Sequence, residues 1–275
     1  MYKYSATQWI YGNEELEKSL QRLKRFGYDG VELAGEPYQM DLASVQLLLN
    51  KYELACTSIC GIYTEERDLA SPNQEVRCNA VQYVRDCVDM AEQLGASVVI
   101  VVPTPVGKSC ADTTSGEEWE LAVASLKEAG AYAETKGIDL AIEALNRFET
   151  YLVNKLTLAK KLAEEVGNGR VRIMADLFHM NIEERSHSAA LRDIAPYLAH
   201  VHIADNTREA AGLGQTDFAD VFRTLKEIGY QGAITMEFMP PVSNPYLTAR
   251  QNESGDLLDA YTMQSIEHIK SIVGA

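Results

Sequence analysis

The feature that most constrains how this chain folds is a regular alternation of short β-rich segments and longer helical segments. The segment at residues 97–102 (SVVIVV) is almost wholly β-branched, as expected for a strand buried on both faces. Each short segment is followed by a longer segment with a helical pattern. Gly follows several of the helical segments, as expected because Gly past a helix end adopts a left-handed conformation at low cost. The predicted strands cover residues 3–9, 30–33, 56–61, 97–102, 139–144, 171–176, 199–203 and 232–237, and the predicted helices cover residues 14–26, 42–51, 74–94, 117–136, 155–166, 189–198, 218–228 and 257–273.

Eight consecutive β-then-α units without a long linker predict an α/β fold, a single (β/α)8 TIM barrel that spans residues 1–275 as one domain. The length of 275 residues agrees with one barrel, because single α/β barrels commonly reach roughly 250 residues. The competing fold is a doubly wound open sheet, which favours a Gly-rich phosphate turn after an early strand. Neither a GxGxxG nor a GxxxxGK(S/T) motif occurs, so the barrel is the preferred interpretation.

The chain is acidic, with 40 Asp and Glu residues against 25 Lys and Arg residues and a net charge of -15. Such a field repels phosphate backbones and anionic lipid surfaces, so we expect no nucleic-acid partner and no membrane association. No segment approaches the ~18 apolar residues that a membrane span requires, and the N-terminal segment MYKYSATQWIYG has no signal-peptide pattern. The five cysteines form no CxxC pair, and reduced thiols are the simplest interpretation. We therefore expect a cytoplasmic protein.

Metal-competent side chains stand at or near the ends of the last four predicted strands. Because the carboxyl ends of barrel strands face one mouth, side chains at these ends should meet at the same rim. Taken singly, a Glu at a strand end is commonly a solvated loop residue, and a His within a strand is commonly a hydrogen-bonded core residue. Four successive strands that each supply one such group are harder to explain in that way. The four residues are Glu143, Asp176, His202 and Glu237.

A carboxylate below the rim of a barrel has to be paired or bound to a metal, because burying it bare is costly. An ion-pair network is the alternative to a metal site, and the few cations nearby in the sequence are Arg147, Arg172 and Arg208. Three carboxylates and one imidazole favour Mn²⁺, Mg²⁺ or Co²⁺ over metals that prefer thiolates. Such an ion can bind two adjacent oxygens of a hydroxy ketone and stabilise the enediolate that forms when a carbon-bound proton leaves. A carboxylate with a free oxygen can act as the base.

The chain resembles the ketose 3-epimerases of the D-tagatose and D-psicose 3-epimerase type in four segments, IEALNRFETYLVN, ADLFHMNIEE, HVHIADNTREAAGLGQ and GAITMEF. These enzymes belong to the xylose-isomerase-like superfamily of sugar isomerases and epimerases. The resemblance is densest over residues 138–238, and FGYDGVEL extends it more weakly into the N-terminal half. It implies an isomerase that epimerises a free, non-phosphorylated ketose at C3 through a cis-enediolate by two-base proton transfer. It also implies one divalent metal ion, Mn²⁺ in the first place, with Mg²⁺ or Co²⁺ as options.

The resemblance assigns a role to each of the four metal-competent residues. It implies that Glu143 and Glu237 are metal ligands and also the acid/base pair, one on each face of substrate C3. Asp176 and His202 would complete the metal shell.

The contacts to the substrate follow from the same resemblance. His179 and Arg208 would hold the oxygens at C1 to C3, and Glu149 would hydrogen-bond the terminal hydroxyls or His179. Trp9, at the end of the first strand, either stacks on the sugar or is a core or rim aromatic. Glu32, at the end of the second strand, either supports the site by hydrogen bonding or is a plain rim carboxylate.

Three loops depart from the pattern of the ketose 3-epimerases and leave the substrate open. The residues after His202 read Ile-Ala-Asp-Asn-Thr, where the family commonly has a Gly-Glu-Ser-Asn turn. VVPTPVGKSC after strand four is similar to inosose-isomerase-type members, and the loop MPPVSNPY after strand eight is particular to this chain. A keto-sugar or inosose isomerase of the same superfamily is therefore the alternative function. The turn Gly212-Leu213-Gly214 lies among acidic residues, so we expect a closing loop rather than a phosphate cradle.

Two further classes of protein fit less well. Apurinic endonucleases share the superfamily but need several zinc ions with many His ligands and a basic DNA groove, which five His residues and a net charge of -15 do not supply. A non-catalytic sugar-binding protein would not need the acid/base pair. The resemblance also implies a small sugar as the partner and a homodimer or homotetramer assembled through outer helices, with residues 74–94 and 117–136 as candidate surfaces.

Overall fold

Eight parallel strands close into a barrel in sequence order, with each strand hydrogen-bonded to the next and the eighth to the first. The computed structural model describes residues 2–242 and 255–274. The strands are β1 (Lys3–Thr7), β2 (Gly30–Gly35), β3 (Ala55–Gly61), β4 (Val98–Val101), β5 (Asp139–Glu143), β6 (Val171–Asp176), β7 (Leu198–Ile203) and β8 (Ala233–Met236). The TIM barrel predicted from the alternation of segments is confirmed.

Helices connect the strands and pack against the outside of the barrel. Within the described ranges, the α-helices are α1 (Leu16–Arg25), α2 (Leu42–Tyr52), α3 (Gln74–Leu94), α4 (Ser115–Lys136), α5 (Leu156–Val166), α6 (Leu177–Glu183), α7 (His187–Asp193), α8 (Phe218–Glu227) and α9 (Gly255–Val273). None of these helices is long and apolar enough to cross a membrane. Helix α3 ends where predicted because Gly95 takes a φ of 73° and its N–H bonds to the carbonyl of Ala91.

Three differences from the predicted elements concern the site or its surroundings, and the other bounds differ by no more than about two residues. The first strand ends at Thr7, and residues 8–11 form a short 3-10 helix. The helix expected over residues 189–198 is α7, which covers His187–Asp193, and residues 194–197 form a turn before β7 begins at Leu198. No helix is expected from the pattern directly after residue 176, yet α6 forms there. The carboxylate of Asp176 explains it, because Oδ1 accepts hydrogen bonds from the first backbone N–H groups of the helix.

The barrel interior is apolar on one side and polar on the other. A small apolar cluster, separate from the main core between barrel and helices, consists of Cys60, Val98, Ile100, Ala141 and Met174. Buried hydroxyls replace apolar groups beside β1 and β8, where Ser5 Oγ lies 2.6 Å from Thr235 Oγ1. Thr57 Oγ1 of β3 donates a hydrogen bond to Ser5 Oγ at 3.0 Å. This polar side of the interior allows charged groups to be buried below the mouth of the barrel.

Candidate metal centre

Four potential metal ligands converge at the carboxyl ends of β5 to β8. Glu143 and Asp176 are the last residues of β5 and β6. His202 is the second-last residue of β7, and Glu237 directly follows β8. Each of the four offers one ligand atom, these atoms all lie within 4.8 Å of one another, and all four residues are buried. The four positions singled out from the sequence are therefore neighbours in space; they are called the metal group below.

Two atoms of the metal group are buried without a hydrogen bond among the described residues, Asp176 Oδ2 and His202 Nδ1. Asp176 Oδ1 is already used, since it accepts hydrogen bonds from Phe178 N at 2.7 Å and His179 N at 3.2 Å. His202 Nδ1 lies 3.8 Å from Asp176 Oδ2 and 3.3 Å from Glu237 Oε2. Buried polar atoms normally have a hydrogen-bond partner. Two buried atoms without one, next to further carboxylates, are consistent with a cation bound between them. The donor set of three carboxylates and one imidazole suits a hard divalent ion.

The carboxylates of the metal group oppose one another's ionisation. Burial and the neighbouring Glu237 raise the pKa of Glu143 well above its usual value. Burial also raises the pKa of Asp176. Burial alone would also raise the pKa of Glu237, but the His202 imidazole and the Arg208 guanidinium outweigh it, so the pKa of Glu237 is lowered. A divalent cation between these groups would relieve the repulsion.

Only one of the three arginines considered as ion-pair partners reaches the metal group. Arg208 Nη2 lies 3.3 Å from Glu237 Oε2. Arg147 pairs instead with Glu183 at 2.8 Å, and Arg172 donates to backbone carbonyls next to β7. One guanidinium does not balance three carboxylates, so the structure favours a metal site over an ion-pair network.

A second set of buried groups lies on the other side of His202. Glu32 on β2 has one oxygen 3.0 Å from His202 Nε2 and the other 2.9 Å from His200 Nε2. Burial alone would raise the pKa of Glu32, but the two imidazoles outweigh it and hold that pKa far below its usual range. Burial alone would lower the pKa of His202, but Glu32 and Glu237 raise it well above its usual value. Of the two interpretations of Glu32, the structure supports a hydrogen-bonding partner of the site.

His179, in the first turn of α6, presents one nitrogen to the metal group. Its Nδ1 accepts hydrogen bonds from the Asn146 backbone N–H at 3.2 Å and from the Asn146 side-chain amide at 2.9 Å. Burial lowers the pKa of His179 to about 4, so the ring is neutral near pH 7. Its single proton is therefore on Nε2, which lies 3.9 Å from both Glu143 Oε1 and Asp176 Oδ2. Sequence reasoning assigned no role to Asn146; its place three residues after Glu143 was the available signal.

Arg208 connects two other predicted residues. Besides Glu237, its guanidinium reaches Glu149 Oε1 at 3.4 Å and lies 4.5 Å above the ring of Phe178. Arg208 has a φ of 63°, an uncommon conformation for a residue other than Gly. Trp9, in the 3-10 helix after β1, donates from Nε1 to Glu237 Oε1 at 3.0 Å. Each oxygen of the Glu237 carboxylate is thus oriented by a donor, Oε1 by Trp9 and Oε2 by Arg208.

A cavity of about 760 Å³ opens above the metal group. This volume lies in the range of small-molecule binding sites, roughly 300–1,000 Å³. All four predicted substrate contacts line the cavity: Trp9, Glu149, His179 and Arg208. Two residues of the metal group, Glu143 and Glu237, line it as well. The far wall comes from the end of β2 and from the segments that follow β2, β3 and β4, with Ala34, Met40, Ile62, Tyr63, Val102 and Val106.

The backbone N–H groups of the glycine turn after β7 donate hydrogen bonds to a carboxylate of the same loop. Asp205 accepts hydrogen bonds from the backbone N–H groups of Gly212 at 2.9 Å, Gly214 at 2.8 Å and Thr216 at 3.0 Å. These N–H groups are the donors that a phosphate would use. The arrangement supports a closed loop rather than a phosphate cradle, and it gives a structural reason for Asp205 at a position where the loop departs from the ketose 3-epimerase pattern.

Comparison with known proteins matches residues 20–261 to the xylose isomerase-like TIM barrel family. The D-psicose 3-epimerase of Ruminiclostridium cellulolyticum is 28% identical, over 86% of this chain and 81% of the relative. The L-ribulose 3-epimerase of Methylomonas sp. strain DH-1 is 31% identical, over 84% of this chain and 81% of the relative. A crystal structure of D-allulose 3-epimerase from Methylomonas sp. in complex with D-allulose has a TM-score of 0.86 at 27% identity and covers 98% of this chain and 96% of that chain.

These relatives are epimerases, which places the chain in the isomerase class of enzymes. The family match covers most of the chain, and the closed eight-stranded barrel agrees with it. The protein therefore belongs to the xylose isomerase-like TIM barrel family.

Proposed function

We propose that the protein is a metal-dependent epimerase that inverts C3 of a free ketose, with Glu143 and Glu237 as its two acid/base groups. The observation that carries the proposal is the buried metal group, in which Glu143 from β5 and Glu237 after β8 come from opposite ends of a run of four strands. The relatives named D-psicose 3-epimerase and L-ribulose 3-epimerase support the choice of carbon. Conversion at C3 needs a proton removed from one face and a proton delivered to the other, which two separate carboxylates provide.

The metal would be held by Glu143, Asp176, His202 and Glu237, and Mn²⁺ is our first choice, with Mg²⁺ or Co²⁺ as options. When bound, such an ion would supply a Lewis acid that withdraws electrons from the substrate and stabilises the negative charge left when a carbon-bound proton is removed.

The chain's own residues orient the substrate and balance the charge that develops on it. One of the two glutamates takes the C3 proton, and negative charge spreads to the neighbouring oxygens. The Nε2–H of neutral His179 is available to donate to such an oxygen, because Nδ1 is held by Asn146. Arg208 adds a positive charge beside Glu237. Glu149 and Trp9 line the same cavity and would contact the rest of the sugar.

The substrate is proposed to lack a phosphate group. Phosphate recognition uses free backbone N–H groups or several cations. The N–H groups of the turn after β7 already donate to Asp205, and Arg208 is the one arginine or lysine among the described residues that line the cavity. A neutral sugar with several hydroxyls fits this lining.

The test is ¹H NMR in D₂O with metal-stripped protein reloaded with Mn²⁺, with the metal removed before the spectrum is recorded. D-fructose, D-tagatose, D-psicose, L-ribulose and a keto-inositol are the substrates. We expect deuterium at C3 together with the C3 epimer, and Glu143→Gln or Glu237→Gln should abolish both. Deuterium at C1 or C2, or a moved carbonyl, would establish the isomerase alternative instead. If none of the substrates exchanges a carbon-bound proton, the proton-transfer function is refuted.

We further propose a cytoplasmic homodimer or homotetramer, with the outer faces of α3 and α4 as candidate contact surfaces. Light scattering coupled to gel filtration measures the assembly directly, and a monomer at micromolar concentration would contradict it.

A further inference from the structure

Glu32 is a buried carboxylate below the metal group, and the proposed reaction assigns it no role. Its side chain is 0% exposed. Oε2 accepts a hydrogen bond from Ser58 Oγ at 2.6 Å and lies 2.9 Å from His200 Nε2. His202 Nε2 lies 3.0 Å from Oε1 and 3.1 Å from Oε2. A carboxylate buried this deeply and surrounded by these groups is held in one position.

The two nitrogens of His202 therefore face different partners. Nδ1 faces the metal group, 3.3 Å from Glu237 Oε2 and 3.8 Å from Asp176 Oδ2, whereas Nε2 faces Glu32. A neutral imidazole has one proton and one free lone pair, so a nitrogen that binds a metal leaves the proton on the other nitrogen. The tautomer with its proton on Nε2 is the one that presents the lone pair of Nδ1 to the other three ligands.

We propose that Glu32 is a positioning residue that accepts the Nε2 proton of His202 and so keeps Nδ1 available as a metal ligand. The inference rests on the proposed metal-dependent function and describes how the metal group is assembled. Carboxylates that accept the free N–H of a metal-binding His orient the ring and raise its basicity, and their loss commonly weakens metal binding by about 10–100-fold.

His200 and the polar side of the barrel interior hold Glu32 in turn. His200 Nε2 lies 3.1 Å from Thr235 Oγ1, and Thr235 Oγ1 lies 2.6 Å from Ser5 Oγ. Ser5 also accepts a hydrogen bond from Thr57 Oγ1 at 3.0 Å. These hydroxyls and imidazoles form a hydrogen-bonded network below the metal group. The polar side of the interior beside β1 and β8 thus holds Glu32 in place.

A second metal ion is the competing explanation, because Glu32, His200 and His202 also offer ligand atoms within 4.8 Å of one another. Hydrogen bonds already occupy Glu32 Oε2 and His200 Nε2 of this set. Glu32 Oε2 accepts from the Ser58 hydroxyl, and His200 Nε2 has the Thr235 hydroxyl as a partner. Among the described residues, Glu32 Oε1 is the one oxygen of this set without a hydrogen bond, and it lies 3.0 Å from His202 Nε2. The metal group has two such atoms, Asp176 Oδ2 and His202 Nδ1.

The experiment is calorimetric titration of the metal-stripped full chain with Mn²⁺, with the metal content of the loaded protein checked by elemental analysis. The wild type is expected to bind one ion per chain. Glu32→Gln keeps the shape of the side chain and removes its charge, so we expect Mn²⁺ binding to weaken by about 10–100-fold. Glu32→Asp retains the charge and should recover part of the affinity.

Glu118→Gln is the matched control. Glu118 is also a carboxylate with 0% side-chain exposure, but it lies on α4 and pairs with Lys108 at 2.7 Å instead of a metal ligand. Its amide variant should bind Mn²⁺ with wild-type affinity even where it lowers the melting temperature.

A second measurement does not depend on a variant. The ¹⁵N shifts of the His202 ring in the wild-type protein saturated with diamagnetic Mg²⁺ should show the proton on Nε2. A proton on Nδ1 in that state would overturn the positioning role.

The outcomes separate this inference from the proposed function. Equal Mn²⁺ affinity of Glu32→Gln and the wild type would overturn the role of Glu32 and leave the proposed reaction intact. Two ions per wild-type chain, one of them lost in Glu32→Gln, would make Glu32 a ligand and would overturn its role as a proton acceptor. A wild-type protein that binds no divalent ion would refute the metal-dependent function itself, and the inference with it.

Discussion

At the scale of single residues, Asp176 performs two tasks with its two oxygens. Oδ1 begins helix α6 by accepting hydrogen bonds from Phe178 N and His179 N, and Oδ2 belongs to the metal group. Capping therefore fixes the rotation of the carboxylate and, through α6, the position of His179. An oxygen held by helix geometry has little freedom left, so the second oxygen reaches the metal group pre-oriented.

The first prediction concerns the pH dependence of stability caused by His179. Burial lowers the pKa of His179 to about 4, whereas a His in an unfolded chain titrates near pH ~6.5. Between these pH values the unfolded chain binds a proton that the folded chain does not, so stability falls as the pH drops through this window. The full effect is at most about 3 kcal/mol, reached at the lower end of the window.

Urea denaturation of metal-free protein between pH 4 and 7 measures this effect. The free energy of unfolding of His179→Gln should depend less steeply on pH than that of the wild type. Parallel curves for the two proteins would show that His179 is not buried as a neutral ring.

At the scale of elements, the segment between β4 and α4 is held by one lysine. Lys108 Nζ lies 2.7 Å from Asp68 Oδ2 and 2.7 Å from Glu118 Oε2, and its side chain is 11% exposed. Tyr151 donates a hydrogen bond to Glu118 as well. Val106 of the same segment lines the cavity, so this ion-paired cluster fixes one wall of the proposed substrate site.

The second prediction is that Lys108→Met destabilises the protein by about 3–5 kcal/mol, because it leaves buried carboxylates without their cation. The free energy of unfolding in urea measures the loss. Lys51→Met is the control, since Lys51 pairs with Glu17 on the surface and its removal should change stability little. Similar small changes for both variants would show that the cluster does not hold the segment.

At the scale of the whole molecule, the third prediction links metal binding to stability. A ligand that binds only the folded state adds about 2.7 kcal/mol at a concentration of 100 times its Kd. Mn²⁺ should therefore raise the melting temperature of metal-stripped protein, and a chelator should reverse the rise.

Asp176→Asn is the variant that tests the origin of this stabilisation. Asn caps a helix about as well as Asp, so metal-free Asp176→Asn should melt at or above the wild-type temperature because one crowded carboxylate is removed. Its melting temperature should respond weakly to Mn²⁺. A full response in the variant would place the bound ion outside the metal group.

Much of the barrel is predictable because its signals are local. The strand at residues 171–176 and the helix at residues 74–94 have the same bounds in the prediction and in the structure. Periodicity and a glycine stop involve neighbours in the chain, so they need no knowledge of the fold. The metal group is predictable for a related reason, since a closed parallel barrel turns four strand ends into four neighbours on one rim.

Helix α6 is an element that local sequence signals did not predict. Its segment follows β6 without a break, and its start depends on the rotation of the Asp176 side chain rather than on apolar spacing. The apolar spacing therefore predicted no helix there. Likewise, Asn146 holds the Nδ1 of His179 across 33 positions of the chain, a contact that spacing alone does not show.

The sequence by itself determined the order of strands and helices, the acidic charge and the four residues that the strand ends bring together. Only the tertiary structure decided what surrounds them. Glu32 and His202 are 170 positions apart, yet their side chains are hydrogen-bonded inside the barrel. Strand order specifies which ends meet, whereas the direction of each hydrogen bond depends on the side-chain packing that barrel closure imposes. That packing leaves His202 Nδ1 facing the metal group and its Nε2 facing Glu32.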